Sequence, residues 1–177
     1  NDFMEAVRRV KEQDNWFLMT ARRRNLAVKD LLNFDQRWDE KLLADVSDHG
    51  RLEVNTGIDF WVYPRGLLEG MPPLAVGRMA FECWCLYRAR LLKADVIDAT
   101  PFVVSIHQTH DYSHIPGGAV ALGRGIEAQR NRELVGGRPH FFSLNDRTHI
   151  LDSRGLRRVH DHWSVWRTFR TSPILHP

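Results

Sequence analysis

The sequence predicts an α/β domain, and three observations carry that expectation. Short apolar runs such as "NWFLMTA" and "FVVSIH" alternate with longer stretches of helical spacing such as "RMAFECWCLYRARLLK". At 177 residues the chain suits one domain, large enough to bury a core without disulfide or metal staples. Its balance of 43% hydrophobic and 27% charged residues is that of a globular protein and excludes a disordered one.

Each element follows from local pattern. In "NDFMEAVRRV", Asp2 and Glu5 stand at capping-box spacing ahead of an amphipathic helix. The chain opens on that cap without a Met, so the expectation is a single but partial domain over residues 1–177, cut from something longer. "NWFLMTA" reads as a buried strand ending near Arg22, Arg23 and Arg24. "RWDEKLLADVSDHG" has helical spacing and closes on Gly50. "IDFWVYPRG" reads as a strand stopped by Pro64 and Gly66, and "LLEGMPPLAVG" as a loop. "RMAFECWCLYRARLLK" is a strongly apolar helix, followed by strands at "DVIDAT" and "FVVSIH". Beyond them "GRGIEAQRNRELVGG" is a polar helix with a Gly-Gly stop, "HFFSL" a strand and "LRRVHDHWSVWRTFR" a last helix.

Charge and cysteine usage narrow the classes of function. Twenty-five Lys and Arg against 22 Asp and Glu leave +3, mild support for an anionic ligand and too little for nucleic acid. No apolar run approaches the roughly 20 residues that span a bilayer, and no signal peptide opens the chain, so the expected compartment is the cytoplasm. Cys83 and Cys85, two apart and alone, exclude a disulfide framework and a zinc ribbon and read as core residues.

Titratable chemistry concentrates in "IHQTHDYSHIPGG". His107, His110 and His114 are three and four apart, and share a face if the chain turns helically after the strand. With Asp111 as an oxygen ligand or as the group orienting a ring, they form a candidate divalent-cation site; the alternative is a polar loop whose histidines bond backbone groups. His107 falls at the carboxyl end of a strand, where ligands gather in such folds. Glu82 has the apolar neighbours Met79, Cys85 and Leu86, which half-bury it, raise its pKa and make it a candidate general base. The bland alternative is an ion pair with Arg78 at the i, i+4 spacing. Asp59 opens an aromatic strand where an acid can grip a substrate hydroxyl. Arg22, Arg65 and Arg78 offer fork-shaped donors for phosphate, and Trp84 and Tyr112 offer stacking surfaces. The glycines of "GRGIEAQRNRELVGG" do not follow a strand at dinucleotide-binding spacing, and no Gly-x-Ser-x-Gly elbow is present.

The succession "GIDFWVYPRGLLEGMPPLAVGRMAFECWCLYRAR", "VIDATPFVVSIHQTHDYSHIPGG" and "EAQRNRELVGG" resembles a glycosyltransferase-like family of the nucleotide-diphospho-sugar transferase (GT-A) superfamily, from about Asp2 to about Leu151. The resemblance implies a GT-A-like mixed sheet flanked by helices. It also implies transfer of a sugar from a nucleotide-sugar donor to a glycan or small-molecule acceptor, with Mn or Mg as cofactor. In that family Glu82 matches an acid that follows an aromatic residue, His107 and His110 match a His-bearing loop, and Asp59 matches an acid in the acceptor-side strand. Two departures stand out. The family has Asp-Asn-Trp where this chain has Glu82-Cys83-Trp84, and the nucleotide-binding half with its acidic metal motif is expected upstream of Asn1. Two other classes stay open: a metal-dependent hydrolase of phosphate or sugar esters built on the histidines, and a non-catalytic carbohydrate-binding module built on the aromatic residues.

Overall fold

A computed structural model describes residues 2–113, 115–160 and 162–176, the side chains of Trp163 and Ser164 excepted. Helix α1 (Asp2–Lys11) leads into β1 (Phe17–Thr20) and, after two residues, β2 (Arg23–Leu26). Then come α2 (Trp38–His49), β3 (Arg51–Leu52), α3 (Phe81–Leu91), β4 (Asp95–Asp98) and β5 (Ser105–Gln108). The chain continues through α4 (Gly118–Arg124), α5 (Ile126–Val135), β6 (His149–Asp152), β7 (Gly155–Arg158) and α6 (His162–Leu175).

The α/β class holds, with two mixed sheets. The larger runs β1-β4-β6-β7, its first three strands parallel and β7 antiparallel to β6. The smaller runs β3-β2-β5, with β2 parallel to β5. Because β1 leads almost directly into β2, and β4 reaches β5 through the turn at Ala99 to Val103, the parallel pairing of the main sheet resumes beyond its carboxyl edge. That extension carries Arg23 and His107 away from the core.

Alternation along β1 explains why both sheet faces are covered. Leu18, with Val96 of β4, packs on one side against Trp84, Cys85, Leu86 and Ala89 of α3. Phe17 and Met19, with Ile97, pack on the other against Ala6 and Val10 of α1 and against Leu151. All four β1 residues are buried, as a strand covered on both faces requires. Each fully buried Leu, Ile or Val contributes about 1.5–3 kcal/mol over its exposed state, so these two clusters supply the main driving force for folding.

Several sequence-based expectations change. "IDFWV" is not a full strand: it touches β1 and the residues after it through single antiparallel bridges, Met19 to Val62 and Arg22 to Ile58. "HFFSL" forms no strand either. It links two short 3-10 turns, the second closed by a capping box in which Ser143 Oγ accepts from Asn145 N and Asp146 Oδ2 accepts from Ser143 N. "LRRV" belongs to the hairpin of β6 and β7, so the last helix starts only at His162. Glu5 turns along α1 to Arg8 and Arg9 instead of back to the cap, since two guanidiniums outcompete one main-chain N–H.

Candidate functional site

The site is built where β2 and β5 run side by side beyond the main sheet. Asn25 of β2 stands in register with His107 of β5, two residues along from Arg23, and the bridge at Arg22 and Ile58 lays Asp59 beside them. One carboxylate then serves two partners. Asp59 Oδ1 accepts from Arg23 Nη1 at 2.9 Å, and Asp59 Oδ2 lies 2.7 Å from His107 Nδ1. When Nδ1 carries the proton and donates it to Asp59, the other ring nitrogen, Nε2, keeps a lone pair with a fixed direction. That is the arrangement by which a carboxylate orients a histidine for proton transfer or ligation.

The rest of the loop extends this edge. The His107 and His110 rings lie 5.5 Å apart centre to centre, and the edge of Tyr112 meets His110 at 4.2 Å. Tyr112 adopts φ of +60°, unusual for a residue with a Cβ, so packing holds a strained turn there. Residues 109–112 after β5 are not helical, so His107 and His110 do not share a helix face as their spacing suggested; ring contact at the strand end joins them instead. Asp111 bonds within its own turn: its Oδ1 accepts from Ser113 N at 2.9 Å, which with a smaller contribution from His110 holds its carboxyl below the ordinary value. His114 lies outside the described residues.

Glu82 approaches from the other side. Gly77 and Ala80 both have positive φ, +71° and +78°, and break the expected helix so that α3 begins at Phe81 with Glu82 in its first turn. The loop before it is clamped by Asn131 of α5, whose Oδ1 accepts from Ala75 N at 2.8 Å and whose Nδ2 donates to Ala75 O at 2.9 Å and Met79 O at 3.3 Å. Met79 N in turn donates to Leu122 O of α4. Glu82 is partly buried, and burial pushes its carboxyl above the ordinary value. Its own main-chain N–H and the Arg23 guanidinium pull it partly back, while the Asp59 carboxylate raises it further. The acid on α3 thus feels the same Arg23 and Asp59 that hold His107. Arg23 itself, disfavoured by partial burial, is held above its ordinary value by the hydrogen bond to Asp59, with smaller contributions from Tyr112 and Glu53.

The remaining predicted residues divide. Arg78 does not pair with Glu82; its Nε donates to Glu127 Oε2 at 2.7 Å, across to α5. Arg22 is held at the strand junction, its main-chain N on Thr100 Oγ1. Arg65 is exposed in the turn at 64–67 and joins none of these contacts. Trp84 is a correction: it is 6% exposed, packed in the core beneath α3, and has no face for a sugar to stack on. Cys83 and Cys85 are buried beside it, and burial pushes both thiols up to about 12, which leaves them inert.

Among the described residues no group of three or more His, Cys, Asp or Glu side chains converges as a cation cage. Asp59 is engaged by Arg23, and Asp111 by Ser113. The described donor set therefore does not fit a tightly held resident cation.

Sequence reading missed Asn131, because a lone Asn in a charged helix carries no signal of its complete burial. It also missed a second group of arginines. Around Gly136 and Gly137, Arg124, Arg132 and Arg138 line a cavity of about 980 Å³ with Met79, Val120 and Phe141. A smaller hollow of about 310 Å³ is lined by Glu82, Arg78, Thr56, Leu122 and again Met79, Gly123 and Phe141.

Comparison with known protein families, curated proteins and solved structures finds no match to this chain.

Proposed function

We propose that this chain is a glycosyltransferase-like domain of GT-A type that moves a sugar from a nucleotide-sugar donor to an acceptor hydroxyl. Glu82 removes the proton from that hydroxyl, and Asp59 and Arg23 keep the His107 imidazole directed at the same space. The observation that carries the reading is the cluster of Arg23, Asp59 and His107 beyond the carboxyl edge of parallel strands, whose guanidinium and carboxylate both act electrostatically on the half-buried Glu82. A half-buried carboxylate with a raised pKa suits a general base, because its affinity for the proton is higher than that of a solvated acid. The Arg23 guanidinium, which acts on Glu82 electrostatically, would give the departing diphosphate a cationic neighbour.

Mn or Mg remains part of the proposal only as an ion arriving with the diphosphate. His107 and His110 would be its imidazole ligands in this reading, and no step of the proton transfer depends on it. The hydrolase alternative requires a protein cage around its metal, and the described residues form none. The binding-module alternative loses Trp84, one of its stacking residues, to burial.

The test is direct. Nucleoside diphosphate with Mn is expected to raise the melting temperature of the wild-type protein. Glu82→Gln is expected to abolish transfer to acceptor while the thermal shift persists. Transfer that survives Glu82→Gln undiminished would sink the assignment.

A further inference from the structure

The cavity between α4, α5 and the turn after Gly137 has a lining of one sign. Arg124, Arg132 and Arg138 line it, and among the described residues no Asp or Glu does. Arg132 is anchored from below, its Nη2 on the Gly123 carbonyl and 2.9 Å from Met79 Sδ. Arg124 and Arg138 are exposed, and neither guanidinium meets a carboxylate among the described residues. The acids of α5 do not answer them: Glu127 is taken by Arg78, and Glu133 does not line the cavity.

The backbone that brings Arg138 there is costly. Gly136 and Gly137 both have positive φ, +88° and +78°. Gly137 N closes the helix on Arg132 O at 2.8 Å, and the chain reverses so that Arg138 faces back towards α4. Gly137 pairs its φ with a ψ of −165°, a region essentially restricted to glycine. At Gly136 a Cβ would meet His140 Nδ1 at 2.8 Å. Two consecutive glycines therefore fix a cluster of like charges that repel one another in the absence of an anion.

This cavity adjoins the hollow of Glu82, since Met79, Gly123 and Phe141 line both. We infer that the Arg124, Arg132 and Arg138 cavity binds a phosphate-type oxyanion, and that the acceptor carries this group on the same molecule as the hydroxyl presented to Glu82. Planar forks from three arginines match the oxygens of a phosphate better than those of a single carboxylate. The acceptor part of the inference rests on the transferase reading; the anion site does not.

The experiment titrates the whole chain with a hexose phosphate, the matching neutral hexose, a nucleoside diphosphate and anionic phospholipid vesicles. Expected is binding of the hexose phosphate at least tenfold tighter than the neutral hexose, weakening as salt rises from low to moderate concentration. Arg124→Gln with Arg138→Gln is expected to remove that preference, and Arg124→Lys with Arg138→Lys to restore part of it. Gly137→Ala, which removes no charge, is expected to weaken it by displacing Arg138. The site is overturned if the hexose phosphate binds no better than the hexose, if the preference survives the double Gln variant, or if only vesicles bind. The acceptor assignment is overturned if the double Gln variant loses nucleoside diphosphate and keeps hexose phosphate. If the transferase reading fails alone, hexose phosphate still binds through the arginines but no product forms with any donor. If the anion site fails alone, neutral acceptors are glycosylated in a Glu82-dependent way that the double Gln variant does not alter.

Discussion

The two polar regions around Glu82 are built on opposite terms. At the strand edge, Arg23, Asp59 and His107 come from three distant parts of the chain, and each charge there faces a partner. In the α4 and α5 cavity the arginines come from one local stretch, residues 124–138, and among the described residues no Asp or Glu lines the space they share. A paired network fixes geometry, since an unmade contact in a partly buried site is costly. An unpaired set of like charges does the reverse and leaves its favourable energy to be realised on binding. Glu82 lines the hollow next to the cavity and feels the charges of the edge, so substitutions in each part should have different signatures.

The largest expected effect is on catalysis at the junction. Glu82→Gln removes the proposed base and should lower the rate of transfer by about 10²- to 10⁴-fold. Its pH signature has a definite sign. Burial first, and the nearby Asp59 carboxylate, raise the folded carboxyl above its ordinary 4.5, so between that value and the raised one the native state binds more protons than the unfolded state. Stability attached to Glu82 is full below 4.5 and is lost as pH rises through the raised value. Denaturant melts from pH 4 to 8 should therefore show wild type losing stability across that window relative to Glu82→Gln. The wild-type rate should rise through the same window as the base deprotonates. A flat difference between the two melts would place Glu82 in bulk-like solvent.

Next comes the clamp beneath the loop. Asn131 is fully buried and bonds both main-chain groups of Ala75, so Asn131→Ala strands two or more polar groups and should destabilise the fold by about 1–3 kcal/mol. Urea unfolding measures this. Because the same loop sets the start of α3, the variant should also lose transfer rate beyond what its stability explains at low temperature.

A smaller effect separates positioning from chemistry at the ordered edge. Asp59→Asn keeps the shape but gives up the charge shared by Arg23 and His107, and a loss of about 10- to 100-fold in rate is expected. His107→Ala should cost a similar factor, and the double variant little more than either single, because the two act through one contact. Steady-state kinetics on the three variants decide it; additive losses would mean that Asp59 and His107 work separately.

What the sequence made legible follows from range. The buried strands at residues 17–20 and 95–98 and the apolar helix at 81–91 were readable because period and hydrophobicity are local. So was the semi-burial of Glu82, since its apolar neighbours lie within one turn. The partnership of Asp59 with His107 was not readable, because a separation of 48 residues is closed only by the pairing of β2 with β5. Trp84 was misassigned for the same reason: a helix apolar on most sides does not say which face meets the sheet. The arginine cavity was hidden by composition, as guanidiniums are common on surfaces and only the two left-handed glycines turn Arg138 back towards the others.

The smallest expected effect bears on Arg78, which stands between the two regions and shares features of each. It is paired like the edge, bonded to Glu127, yet it lines the Glu82 hollow as the cavity arginines line theirs. Glu127 is 60% exposed, so the pair is screened by solvent and worth at most about 1 kcal/mol. Arg78→Ala should then shift the denaturation midpoint only slightly. If Arg78 is part of the substrate wall, its loss raises KM for the acceptor several-fold while kcat changes little, since a contact made equally in ground and transition states affects binding alone. Glu127→Gln supplies the complement: releasing Arg78 from its partner costs the same small stability but leaves KM unchanged or lowers it. Equal stability losses with no movement of KM in either variant would return Arg78 to the structural side of the comparison.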